Sequence, residues 1–375
     1  MIRIMEPRHG AVLNHRHGRQ GGGGLEVAVS GQAPLGYPVH VNDVPARREG
    51  ERFTAAVVLR GPETDIVAAC RGASGVAEHR VRVVWDRASF PRYRFSIDDC
   101  SFFLRDLAAR RPRSLFDGGP FLPALRELHR RYGTRFVLNL FFETPEADFT
   151  LDRTPADWRG EWADNASWLR LSFHARAEFP DRPYQYAPPE RLEKDYDDVA
   201  GEIRRFAGDA SWSPPTVIHW GMLTRNCLRP LFERGVRALS GFFVPYTGGS
   251  YTSDGEPAAS SSHHWDVNYL LDEDRSEYLS RHDALKDFES GIVFSRVDLV
   301  CNNTPVDRVV PALEPLAADP ATAEIMDIFT HEQYFWPFYG NWRPDHAERC
   351  EAAIRFCTDR GYRPVFLHEG LLGAT

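Results

Sequence analysis

The feature that most constrains this chain is a change of texture near Asp86. Before it lie short apolar or alternating segments, Leu25–Ser30, Val39–Asn42, Phe53–Leu59, Ile66–Cys70 and Arg80–Trp85, separated by turn-forming Asn42-Asp43 and Glu49-Gly50. In Leu25, Val27 and Val29 every second side chain is apolar, as a strand with one buried face requires. After Asp86, apolar segments alternate with stretches of helical periodicity. Leu192, Tyr196, Val199, Ile203 and Phe206 recur at three and four residues and predict a helix over Pro189–Phe206, with others over Phe121–Tyr132, Arg225–Arg234 and His346–Asp359. Strand candidates between them are 93–97, 136–142, 169–173, 216–218, 236–243, 292–294, 325–329 and 363–367. Such alternation predicts parallel strands closed, or nearly closed, as a (β/α) barrel.

The expected fold class is therefore α/β, a small all-β sandwich over residues 1–88 followed by a (β/α)-barrel domain over 89–375. A length of 375 residues suits two cores, one of them a barrel of about 250 residues. The polar insertion from Tyr246 to Ser290 is long for a plain connection and is expected to cover a site. A net charge of −8 without a basic run excludes nucleic acid and anionic membrane as main partners. Six cysteines without CxxC spacing read as reduced thiols, and no apolar run reaches signal-peptide or membrane-span length, so the expected location is the cytoplasm, or outside the cell if a leader has been removed.

A parallel barrel places its active site at the C-terminal ends of its strands. There this chain has Asp98 and Asp99, then Asn139 and Glu143, then His174 and Glu178, then His219 and Trp220, with Asp298, Asn302, His331 and Glu332 late in the sequence. Two adjacent acids after a buried strand need a cation or water, because an unpaired buried carboxylate is costly. They could instead open the next helix, since Leu104 and Leu107 follow at helical spacing. The spacing of His174 and Glu178 lets both reach one ion if the strand exit turns helically, and nitrogen with carboxylate suits Zn²⁺ or another divalent metal. The alternative is a satisfied histidine and a solvated Glu178 paired with Arg176 or Arg182. The run from Thr330 to Tyr339 packs His331 and Glu332 among aromatic rings including Tyr334 and Trp336, which would form either a sugar platform or an aromatic plug.

In order, Asp98-Asp99, the spaced His174/Glu178 pair and His331 resemble the signatures of the NodB-type polysaccharide deacetylases. The resemblance implies Asp98 as catalytic base, Asp99, His174 and Glu178 as metal ligands, and His331 as general acid. This chain departs from the family in having Cys100 where a glycine is usual, Glu178 where a second histidine is usual, and His219-Trp220-Gly221 where an arginine motif is usual. The partner that orients the base would then be missing, or be supplied by Arg176 or Arg225. Residues 39–59 also resemble immunoglobulin-like modules of carbohydrate-active enzymes.

The expected function is metal-dependent hydrolysis of an N- or O-acylated sugar, with Zn as the expected metal. Glu143, Arg176, His219, Trp220, Glu332, Tyr334 and Trp336 are the expected substrate-binding residues. Two other readings stand beside it. One is a metal-free glycosidase using two carboxylates among Asp98, Glu143, Glu178 and Glu332; the other is a non-catalytic carbohydrate-binding protein built on its tryptophans.

Overall fold

A computed structural model describes residues 1–72, 75–245, 265–370 and 372. The chain divides into two compact units, residues 1–90 with 284–289 and 372–375, and residues 91–283 with 290–371.

The first unit holds strands β1 (Arg3–Glu6), β2 (Val12–Leu13), β3 (Gly18–Gly21), β4 (Gly24–Gln32), β5 (Val39–Val41), β6 (Val44–Pro45), β7 (Arg47–Glu49), β8 (Arg52–Leu59), β9 (Glu63–Gly72) and β10 (Gly75–Trp85). They make two sheets, β1-β4-β8-β7 with β3 on β4, and β2-β10-β9-β5-β6. All pairs are antiparallel except β2 with β10. Leu25, Val27 and Val29 are buried from β4, and Phe53, Val57 and Leu59 from β8, so the alternation in sequence becomes one apolar face per strand.

The second unit is mixed α/β. Its strands are β11 (Arg92–Cys100), β12 (Phe136–Phe141), β13 (Leu169–Ala175), β14 (Ala238–Gly241), β15 (Val244–Pro245) and β16 (Trp265–Asp266). After the short β17 (Ala284–Lys286), which groups with the first unit, come β18 (Val293–Arg296), β19 (Leu299–Val300), β20 (Ile325–His331) and β21 (Arg363–Pro364). Helices are α1 (Phe102–Arg110), α2 (Phe121–Tyr132), α3 (Arg159–Asn165), α4 (Pro189–Phe206), α5 (Leu228–Glu233), α6 (Glu273–Leu279), α7 (Val306–Ala318) and α8 (His346–Asp359). The central sheet runs β13-β12-β11-β20-β19, all parallel, with β21 beside the start of β11; β14 and β18 pair in parallel apart from it.

The parallel strands thus fall into two sheets rather than one continuous closed sheet. Thr216–Ile218, expected as a strand, joins neither; single bonds from Ser213 N–H to the Leu171 carbonyl and from Ser240 N–H to the Thr216 carbonyl span this region. Of the polar insertion, residues 246–264 lie outside the described residues, and the remainder carries β16, α6 and β17. No helix among the described residues is long and apolar enough to cross a membrane.

The amphipathic helices form because their stripes are buried. Leu192, Tyr196, Val199, Ile203 and Phe206 of α4 are all buried, and Pro189 opens the helix where its missing N–H costs nothing. Gly133 closes α2 at φ 69°, a left-handed conformation suited to glycine, and its N–H bonds the His129 carbonyl. Helix α1 starts on Ser101 without a side-chain cap of its own. Glu332 supplies one from a distance, accepting the N–H groups of Ser101 (2.6 Å), Phe102 (3.0 Å) and Phe103 (2.6 Å) and the Trp336 indole N–H (2.8 Å).

Beneath the strand ends lies a buried ion pair. Arg94 Nε donates to Asp327 Oδ1, whose other oxygen accepts from the Ser240 and Ser295 hydroxyls. Arg94 and Asp327 are register partners on β11 and β20, as are Asp98 and His331 four residues on, so the ion pair lies below Asp98 and His331 on the same faces of those strands.

Candidate functional site

Successive residues of a strand point to opposite faces, so adjacent Asp98 and Asp99 would ordinarily diverge. They do not, because β11 carries a bulge here. Ile97 pairs with Leu138 and Cys100 with Leu140, leaving an extra residue on β11, and Asp99 adopts a left-handed φ of 56°. The same irregularity recurs on β13. Leu140 pairs with Phe173 and Phe141 with Ala175, so His174 is the extra residue. Two bulges side by side turn Asp99 and His174 to one point, and the left-handed backbone at Asp99 is the strain that functional sites often hold.

His219 completes the cluster. Asp99, His174 and His219 are buried, and their ligand atoms all lie within 4.8 Å of one another. His174 Nε2 is 3.1 Å from Asp99 Oδ1, and His219 Nδ1 lies 3.1 Å from His174 Nε2 and 3.3 Å from Asp99 Oδ1. The other nitrogen of His219, Nε2, is 3.1 Å from the Glu178 carbonyl. A carbonyl only accepts, so neutral His219 carries its proton on Nε2 and presents the Nδ1 lone pair to the Asp99 carboxylate. Two lone-pair acceptors facing each other need a proton or a cation between them, and His174 Nε2, 3.1 Å from both, is the atom that either carries that proton or joins them on the cation. A backbone carbonyl fixing the remote nitrogen is also the arrangement that orients a metal-ligating imidazole. One oxygen and two nitrogens suit a divalent transition ion such as Zn²⁺, so the residues fit such a metal.

The charges agree with this geometry. Burial works to raise the Asp99 pKa, but the His331 charge and the hydrogen bond from His174 outweigh it and hold the carboxyl well below the usual range. Burial works to lower His174, yet its bond to Asp99 and the charges of Asp98 and Asp99 leave it raised. For His219 burial wins over Asp99, the pKa falls, and the ring stays neutral near pH 7.

Two further groups flank the cluster. Asp98 is buried and accepts from Asn139 Nδ2 (2.7 Å) and the Ser96 hydroxyl (3.3 Å). His331 Nε2 lies 3.7 Å from Asp99 Oδ2, while its Nδ1 is 2.9 Å from Asn302 Oδ1. Asn302 Nδ2 donates to Asn303 Oδ1, which leaves its carbonyl oxygen for His331 and so puts the Nδ1 proton of His331 there. Asn139 and Asn302 orient these two groups, a role their place at strand ends hinted at without fixing.

A cleft of about 530 Å³ gathers Asp98, Asp99, His174, Glu178, His219, Trp220, His331 and Tyr334. Glu178, expected as a ligand, does not send its carboxylate into the three-residue cluster; the third ligand atom comes from His219, expected only to touch substrate. Residues 176–188 turn and bend without forming the helix that a four-residue spacing needs. Glu178 instead accepts from Gln333 Nε2 (3.3 Å), and burial with the nearby Asp99 charge pushes its pKa up to about 8. Trp220 takes a left-handed φ of 64°, with the Arg182 guanidinium 5.2 Å from its ring.

Four expected substrate contacts lie outside the cleft lining. Glu143 is tied to Thr150 by an isolated antiparallel bridge, and its N–H bonds the Arg176 carbonyl. Arg176 pairs with Asp198 at 3.1 Å and lies over the Phe142 ring. Glu332 is the remote cap of α1, and Trp336 is buried with its indole N–H on Glu332. The Thr330–Tyr339 run therefore spends Glu332 and Trp336 on structure and leaves His331 and Tyr334 for the cleft.

Behind His331, the buried His346 bonds the Thr330 hydroxyl at 3.0 Å, and burial, aided by the Arg349 and His331 charges, lowers its pKa from 6.5 to about 3. The unfolded chain therefore takes up this proton first as pH falls. This contribution to stability is complete above about pH 6.5 and lost between there and pH 3. Urea unfolding at pH 7.5 and pH 5 is expected to show a loss of about 2 kcal/mol that His346→Gln lacks; equal losses in both proteins would remove His346 as its source.

No family model and no curated protein matches the chain. Among solved structures it is similar to the Bc1960 peptidoglycan N-acetylglucosamine deacetylase, with 10% identity, TM-score 0.39, and coverage of 74% of this chain and 88% of that one. A Streptococcus mutans CE4 esterase is similar at 9% identity and TM-score 0.36, over 74% of this chain and 86% of its own. At these values the function proposed next rests on the geometry of the site itself.

Proposed function

We propose that this chain is a metal-dependent hydrolase that removes an acyl group from a carbohydrate, on a barrel of the polysaccharide deacetylase type. The observation that carries the proposal is the convergence of Asp99, His174 and His219 on one point in the cleft that Asp98 and His331 also line. The chemistry a divalent cation supplies when held by those three residues is a water acidified toward neutrality and a polarised acyl carbonyl.

The remaining steps belong to the chain. Asp98, held by Asn139, accepts the proton of the attacking water. His331 keeps its Nδ1 proton on Asn302, so it acts as the imidazolium: its second proton, on Nε2 on the Asp99 side, passes to the departing sugar oxygen or nitrogen and leaves the ring neutral. Trp220 and Tyr334 line the same cleft and offer rings for a pyranose to rest on. Of the four carboxylates a two-carboxylate glycosidase could use, Glu143 and Glu332 are outside the cleft lining, which leaves that reading only Asp98 and Glu178.

Protein purified without chelator is expected to hold about one equivalent of divalent metal and to release acetate from N-acetylglucosamine oligomers. Asp98→Asn is expected to keep the metal and to lose a factor of about 10² to 10⁴ in kcat/KM. Elemental analysis beside acetate release checks both, and a metal-free wild type that still hydrolyses would overturn the proposal.

A further inference from the structure

Part of the cleft lining is a continuous apolar surface rather than one built for a sugar. Its lining includes Val217, beside the ligand cluster, and Phe242, Val244, Val297, Val300 and Phe329. Val297, Val300 and Phe329 form one buried cluster against which Phe242 packs, the Phe242 and Phe329 rings meeting edge-on at 5.6 Å. This wall reaches the reacting groups, because Phe329 also meets the His331 ring edge-on at 5.3 Å. An acetyl group would cover one methyl's worth of it. A space of about 530 Å³ falls in the range that encloses a whole small ligand, and apolar lining with a few convergent polar groups is the usual form of such sites.

We propose that the scissile acyl group is a hydrophobic one, an aliphatic chain of about four to eight carbons or an aryl ring, seated against the Phe242–Phe329–Val300 wall. The substrate class is then an amphiphile, a sugar amide or ester whose carbonyl faces Asp99, His174 and His219 and whose tail lies on the wall. This rests on the acyl-hydrolase reading above for its reaction, but the apolar seat itself does not depend on turnover. Each methylene moved from water onto the wall contributes about 0.8 kcal/mol, which is about fourfold in affinity or in kcat/KM.

The test has two arms on the metal-loaded full chain. Calorimetric titration with acetate, butanoate, hexanoate and octanoate is expected to give affinity rising about fourfold per methylene to at least six carbons. Val300→Ser and Phe242→Ala are expected to flatten that series. Hydrolysis of N-acetyl-, N-butanoyl- and N-hexanoylglucosamine is expected to rise in the same order. Affinity that is flat or falls beyond acetate overturns the hydrophobic acyl group, whatever the enzyme hydrolyses. A steep carboxylate series with no hydrolysis of any amide keeps the apolar seat and sinks the acyl-hydrolase reading instead.

Discussion

His219→Ala is expected to strip the metal and abolish hydrolysis, while Glu178→Ala keeps the metal. His219 places Nδ1 within 3.3 Å of Asp99 Oδ1 and 3.1 Å of His174 Nε2, whereas Glu178 offers that cluster only the carbonyl that steers His219. Removing one of three protein ligands leaves two, too few to hold a transition ion through purification. Loss of the cation forfeits several kcal/mol of transition-state stabilisation, about a thousandfold or more in rate. Metal stoichiometry separates the two variants without any substrate. Metal retained in His219→Ala and lost in Glu178→Ala would hand the third position back to the carboxylate.

The largest effect on stability is expected at Asp327. Its side chain is 0% exposed and that of Arg94 3% exposed, and Asp327 is the only carboxylate that Arg94 reaches as an ion pair among the described residues. Asp327→Ala leaves the guanidinium buried and uncompensated, a loss of about 3–5 kcal/mol. For a unit of this size that lowers the melting temperature by roughly 6–20 °C. Replacing both partners, Arg94→Met with Asp327→Leu, is expected to recover most of the loss, because apolar substitutes need no partner. Thermal unfolding of the two variants checks this. A double variant no more stable than Asp327→Ala would mean that the hydroxyls of Ser240 and Ser295, and not Arg94, are what the carboxylate serves.

How much of this was legible in sequence follows from what each residue answers to. The helices Phe121–Tyr132, Pro189–Phe206 and His346–Asp359 coincide with their expected bounds, because an apolar stripe at helical spacing is a local property. Helix α7 escaped notice because Pro311 and Pro315 interrupt it and only Val309 and Leu313 are buried. Thr216–Ile218 looked like a strand and makes only single bridging bonds, since pairing depends on neighbours that a local pattern does not contain. The adjacent acids stood out because Asp98-Asp99 ends a run of buried residues. What the sequence hid was the backbone that aims the side chains. A bulge is one unpaired residue against a partner strand distant in the chain, so nothing local marked Asp99 and His174 as the extra residues. Glu178 was favoured over His219 for the same reason, since spacing within one segment was visible and convergence of two segments was not.

The side-by-side placement of β11 and β20 also bears on when the protein can begin to work. Arg94 and Asp327 are 233 residues apart in the chain, and so, register partner for register partner, are Asp98 and His331. During synthesis the acid pair emerges first, with its guanidinium still waiting for the carboxylate that lets it be buried. His331, the proposed proton donor, arrives on the same strand as that carboxylate. One docking event, possible only once residue 331 has emerged, therefore both neutralises the interior and brings the proposed acid beside the cluster, so a nascent chain short of residue 331 carries the cluster's residues without it.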